Sequence, residues 1–202
     1  GFITPENNFL IKVTKRCEKV GALMILDELQ TGLGRTGKLF AFEHYEISPD
    51  ILLLGKALGG GFPIGAMITK KCNMDQLQKN PILGHITTFG GHPVIAAAGF
   101  ETLSIIIQNK LSKKAIEKEN LFKELLVHPL INEVRSKGLM IALIMKNEII
   151  ANQLVIKSLN NGLILFWLLY EKRAVRITPP LTISNSEIKK GCKIILSVLN
   201  SI

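Results

Sequence analysis

Three cysteines are all that the 202-residue chain carries, and Cys17, Cys72 and Cys192 lie far apart and are odd in number. No two of them have metal-ligand spacing. That favours a reducing, cytoplasmic setting over a disulfide framework, and no metal site is expected. Long apolar runs are also lacking. The longest, such as Leu163–Leu169, fall well short of the roughly 20 residues that span a bilayer, and no signal peptide is visible, so no membrane partner is expected. There is no basic tail, and aromatics do not alternate with basic residues as a stacking platform for single strands requires. Nucleic acid is therefore not an expected partner. Internal repeats and low-complexity stretches are missing as well.

What is present is a chain that is 47% hydrophobic and 20% charged, enough for a substantial core. The formal charge is +9, and most of the surplus falls after residue 100. There Lys113, Lys114, Lys118 and Lys123 are interleaved with Glu117, Glu119 and Glu124. Mixed signs at helical spacing describe a solvated helix face rather than an anion-binding surface.

Patterning predicts an amphipathic helix over 4–20, capped by Thr4 and closed by Gly21. Ala22–Leu26, Ile51–Leu54 and Gly65–Thr69 read as short strands, the first buried on both faces. Short apolar strands alternating with helical segments argue for an α/β parallel sheet. A helix with a small-residue face is expected over 94–109, and a charged one over about 112–127. Strands follow at 139–145, 163–169 and 174–177, with a helix over about 148–160 between the first two. Ser184-Asn185-Ser186-Glu187 is a capping box opening a last helix. This second half reads as a small α+β domain.

Asp27 and Lys56 both stand at the carboxyl ends of predicted strands, where open α/β sheets receive ligands. A lysine closing an apolar strand, flanked by Gly55 and Gly59-Gly60-Gly61, is an odd place for a solvating charge. Singly, each is more often a cap or a surface residue; together they match one cofactor. Pyridoxal 5'-phosphate forms an imine with a lysine and needs a carboxylate opposite its ring nitrogen. The loop from His85 through Thr87, Thr88, Gly90 and Gly91 offers hydroxyls and flexible backbone ahead of a helix, which suits phosphate. Arg176 can grip a carboxylate with two parallel hydrogen bonds. Gly32-Leu33-Gly34-Arg35-Thr36-Gly37, with Asp50 downstream, matches a dinucleotide fingerprint. However, its glycines neither follow the strand directly nor open a helix, so that reading is disfavoured.

Asp27-Glu28-Leu29-Gln30-Thr31-Gly32-Leu33-Gly34-Arg35-Thr36-Gly37, Pro49-Asp50-Ile51, Gly55-Lys56-Ala57-Leu58-Gly59-Gly60-Gly61 and Pro63-Ile64-Gly65-Ala66 resemble the signature of the class III aminotransferases. Thr87-Thr88-Phe89-Gly90-Gly91 and Arg176 with Pro179-Pro180-Leu181 extend the likeness over nearly the whole chain. His92 departs from it, standing where the family commonly has Asn. The resemblance implies a fold-type-I α/β arrangement. The parts would be a large-domain parallel sheet over 1–95, an interdomain helix over 96–110 and a small C-terminal domain over 111–202. It implies that Lys56 is the Schiff-base lysine and Asp27 the ring-nitrogen partner. Gln30 would lie near the phenolic oxygen, Thr88 would bind the phosphate across a homodimer interface, and Arg176 would hold the substrate carboxylate. The implied reaction moves an amino group from an amino-acid or ω-amino donor to a 2-oxo acid. Family members are about twice this length, so the chain, which opens on Gly1, is expected to be an incomplete piece and inactive alone. Two further readings stay open. One is an aminomutase or epimerase on the same cofactor; the other is a non-catalytic truncated half acting as a binding module.

Overall fold

A computed structural model describes residues 1–202, which divide into two compact units. One holds residues 5–33 and 38–110, the other residues 1–4, 34–37 and 111–202.

The first unit opens with α1 (Phe9–Val20). Thr4 and Pro5 lie outside it, so the helix starts later than the cap at Thr4 predicts. Asn7 and Asn8 intervene, and asparagine favours caps over helix interiors. Gly21 ends the helix in the left-handed conformation, φ 70°. The sheet has the order β1 (Ile25–Asp27), β2 (Ile51–Gly55), β3 (Gly65–Thr69). β1 and β2 are parallel, as expected, with Ile25 opposite Ile51 and Asp27 opposite Leu53. β3 is antiparallel to β2, Gly55 facing Gly65. Residues 56–64 are too few for a parallel crossover, which takes roughly a dozen residues. Burial on both faces of 22–26 is not found: Leu23 and Ile25 are each 54% exposed. After the short α2 (Lys71–Met74), α3 (Pro93–Gln108) packs on the 3-10 turn Lys56–Gly59. Gly99 of α3 is buried there. A Cβ on it would sit 3.4 Å from the Leu58 carbonyl oxygen, so the small-residue face predicted for this helix serves close approach to the lysine turn.

The second unit is a four-stranded antiparallel sheet, order β4 (Ile131–Lys137), β5 (Met140–Met145), β7 (Glu171–Ile177), β6 (Phe166–Leu168). Helices α4 (Leu111–Leu125), α5 (Glu148–Asn160) and α6 (Asn185–Leu199) supply the rest. Ile141, Leu143, Met145, Val175 and Ile177 of the sheet meet Phe122, Leu154, Ile188 and Ile195 of the helices in one core. β4 is an edge strand that the sequence pattern does not reveal, because Asn132, Glu133, Arg135 and Lys137 break its apolar alternation. β6 is shorter than predicted: the Leu163 amide donates to the Ser158 carbonyl at 2.9 Å, so the chain is still leaving α5 there. The capping box of α6 forms as read. Ser184 Oγ accepts from the Glu187 amide at 3.2 Å, and the Glu187 carboxylate accepts from the Ser184 amide at 2.7 Å. No single helix is long and apolar enough to cross a membrane.

Glu119 fastens α4 to the β4–β5 turn. Its carboxylate accepts from Lys123 Nζ and Ser136 Oγ, each at 2.7 Å, and from the Gly138 amide at 2.7 Å. Gly138 must be glycine, since its φ is 59° and a Cβ would strike the Arg35 carbonyl oxygen. Burial pushes the Glu119 carboxyl up, but the hydrogen bonds from Lys123, Ser136 and Gly138 outweigh it and hold it below the ordinary glutamate value. A depressed folded-state pKa contributes stability above the unfolded value, about 4.3, and loses it as pH falls through the folded value. Glu119→Gln should therefore melt below the parent at neutral pH, and thermal scans should show the gap narrowing once pH drops under about 4.

Candidate active site

Strand β1 ends at Asp27 and β2 ends one residue before Lys56. Because the two strands are parallel and Asp27 pairs with Leu53, both groups stand beyond the carboxyl ends of neighbouring strands. Asp27 is exposed. Its Oδ1 accepts from the Leu29 amide at 3.0 Å, while Oδ2 has no donor from the chain. Lys56 is exposed, and its amine has neither hydrogen bond nor ion pair. Its backbone is left-handed, φ 46°, which costs a side-chain-bearing residue about 1 kcal/mol. Gly55 just before it is buried, and a Cβ there would crowd the Ile64 carbonyl oxygen at 3.2 Å and Leu29 Cγ at 3.3 Å. Lys56 is thus turned out of the strand by a tightly packed neighbour, at the cost of backbone strain.

Gln30 is half-buried in the loop after β1. Thr88 is exposed in the loop before α3, where the Gly90 amide donates to the Thr87 carbonyl at 3.1 Å. His92 occupies the cap position of α3 without a side-chain capping bond. Asp50, the acid of the disfavoured dinucleotide reading, is structural: its Oδ2 accepts from the Met24 amide at 2.8 Å and so ties down the start of β1. The residues after Gly37 do not open an α-helix. Asp27, Gln30, Lys56 and Thr88 all belong to the first unit.

Arg176 belongs to the second unit, on β7, opposite Ala142 and Phe166. Its guanidinium lies 4.9 Å from the centre of the Phe166 ring and has no acidic partner. Stacking leaves the N–H groups in the guanidinium plane available to an incoming carboxylate. An open groove of about 270 Å³ runs beside it, lined by Leu163, Leu165, Phe166, Ile183, Glu187 and Ile188 among others. The turn after Arg176 is held by Arg35, which donates to the Pro179 carbonyl at 2.6 Å and the Leu139 carbonyl at 3.1 Å. Burial pulls the Arg35 guanidinium below its ordinary value. The pattern Gly34-Arg35-Thr36-Gly37 pointed to a loop, but no sequence signal marked Arg35 as a brace or Phe166 as a platform.

An unpaired amine and a carboxylate with a free oxygen, on adjacent parallel strands, fit a group with an aldehyde at one end and a protonated ring nitrogen at the other. No cluster of histidine, cysteine or carboxylate side chains offers a metal site.

The profile described as aminotransferase class-III matches residues 1–199. A putrescine aminotransferase from Pectobacterium atrosepticum is 41% identical over 99% of this chain and 45% of its own length. Among solved structures, the ornithine aminotransferase of Toxoplasma gondii superposes with a TM-score of 0.86 at 33% identity. It covers 98% of this chain and 48% of that one, and that protein holds PLP at partial occupancy in its active site. The acetylornithine aminotransferase of Elizabethkingia anophelis gives 0.87 at 34% identity, over 98% and 51%. The chain spans about half the length of the relatives it matches. With all but its last three residues inside the family profile, the chain belongs to the class III aminotransferases, a pyridoxal-phosphate-dependent family of fold type I.

Proposed function

We propose that the protein carrying this chain is an aminotransferase moving an amino group from an amino-acid or ω-amino donor to a 2-oxo acid. The observation that carries this is the pair Lys56 and Asp27, a free amine and a carboxylate with one free oxygen, both beyond the carboxyl ends of adjacent parallel strands of a class III chain. When bound, pyridoxal 5'-phosphate supplies an aldehyde carbon for imine formation and a ring that accepts electrons as the substrate carbon loses its proton.

The chain's own residues do the rest. Lys56 anchors the cofactor through its amine. When free, that amine would serve as the base that takes the proton from the substrate carbon and as the acid that returns it. Asp27 would keep the ring nitrogen protonated through its free oxygen. The Gln30 amide would donate toward the cofactor's phenolic oxygen, and the Thr88 hydroxyl would hold the phosphate across a homodimer interface. Arg176, stacked on Phe166, holds the carboxylate of donor and acceptor in turn. The putrescine, ornithine and acetylornithine enzymes among its relatives support an ω-amino donor. The three free thiols, with burial pushing Cys192 up to about 11, suit a reducing cytoplasm. This chain by itself is expected to be inactive, because it spans about half the length of its relatives.

Two variants test the assignment in the cofactor-loaded protein. Lys56→Ala should abolish the visible absorbance of the lysine-linked cofactor and cut amino transfer to 2-oxoglutarate by about 10³-fold or more. Survival of both would overturn the reading, and turnover without any 2-oxo acid would show a mutase or epimerase instead. Arg176→Ala should raise KM for the 2-oxo acid by about tenfold or more, since a charged hydrogen bond contributes about 1.5–3 kcal/mol, while leaving the cofactor absorbance unchanged. Steady-state kinetics with and without added guanidinium would read this out.

A further inference from the structure

Glu28 follows Asp27 directly and is 4% exposed, in contrast to its exposed neighbour. A carboxylate is buried at tolerable cost only where donors replace water. Three do so here. The Ala41 amide donates to Oε2 at 2.6 Å, the Phe42 amide to Oε1 at 2.8 Å, and Thr31 Oγ1 to Oε2 at 3.2 Å. Its main chain is fixed as well: the Glu28 amide donates to the Leu53 carbonyl at 2.9 Å, and the Glu28 carbonyl accepts from the Gly32 amide at 3.0 Å. One residue therefore joins the end of β1, the neighbouring strand and the far end of the loop at 41–42. None of the steps assigned above uses it.

Asp27, by comparison, has a single bond to the protein, from the Leu29 amide. A carboxylate held so lightly keeps its direction only if the backbone on either side stays in place. On the loop side, that backbone is Glu28. We propose that Glu28 is the positioning residue of this site: by clamping the turn at 41–42 and residues 31–32 onto the end of β1, it sets how the Asp27 carboxylate and the Gln30 amide meet the cofactor. It touches no ligand itself. The inference rests on the reading of Asp27 as the ring-nitrogen partner.

Glu28→Gln puts an N–H where one backbone donor now finds an oxygen, so two donors face each other and one amide loses its acceptor. In the holoenzyme, the pH midpoint of the bound cofactor's visible absorbance should move by about half a unit or more, in the direction that Asp27→Asn moves it. In the apoprotein, hydrogen exchange at the Ala41 and Phe42 amides should quicken by about tenfold. A purely structural role would speed exchange and leave the midpoint alone; that result overturns the proposal. A midpoint unmoved by Asp27→Asn overturns the Asp27 assignment and this inference with it. A midpoint moved by Asp27→Asn but not by Glu28→Gln overturns the inference alone. Where Glu28→Gln does not fold, Thr31→Ala takes its place: a smaller shift of the same sign supports the clamp, and no shift refutes it.

Discussion

Hydrogen bonding between β1 and β2 runs parallel, and the site depends on that direction. Parallel neighbours finish at the same edge of a sheet, so a residue closing one and a residue closing the next face the same solvent. Asp27 and Lys56 are 29 positions apart in the chain, and the pairing of Asp27 with Leu53 brings both to the carboxyl-end edge of the same two strands. The left-handed backbone at Lys56 then turns the chain out of the strand plane at the point where Gly55 leaves no room for a side chain. Strain at one residue is sustained because packed glycines on both sides determine the path.

Much of this was readable beforehand, and for physical reasons. Capping at Ser184 and helix closure at Gly21 are set by neighbours within a few residues, so both appeared as read. The span of α5 depended only on local periodicity bounded by Asn147 and Gly162. The misses depended on partners far along the chain. β4 is held by pairing with β5 although its own alternation is broken. β3 is antiparallel because of a short connection, which composition alone does not announce. Ile25 is exposed because burial is a property of what lies above a strand, not of the strand's own residues. At the site, the apolar runs before Asp27 and Lys56 were enough to place both at strand ends, whereas the support from Glu28 and Arg35 consists of bonds to backbone amides and carbonyls, which no sequence pattern encodes.

The two units are built to different standards of closure. In the second, one apolar cluster runs from β5 and β7 into three helices. Its buried carboxylate, Glu119, has every oxygen met by a donor. In the first, Ile25, Phe62 and Phe100 remain between 49% and 72% exposed, and at the sheet's rim the Lys56 amine and one Asp27 oxygen are left without partners. Polar atoms left unmatched at the end of a well-ordered strand are where chemistry with a ligand is possible, because no internal bond must first be broken.

Trp167 is the single indole of the chain, and it sits on β6 beside the ring that supports Arg176. Its Nε1 donates to Asn152 Oδ1 at 2.7 Å, and its ring and that of Phe166 meet in a T-shaped contact with centres 5.8 Å apart. Emission from this one fluorophore therefore originates next to the guanidinium platform and nowhere else in the polypeptide. Within these 202 residues, the one indole is an optical label placed beside the guanidinium.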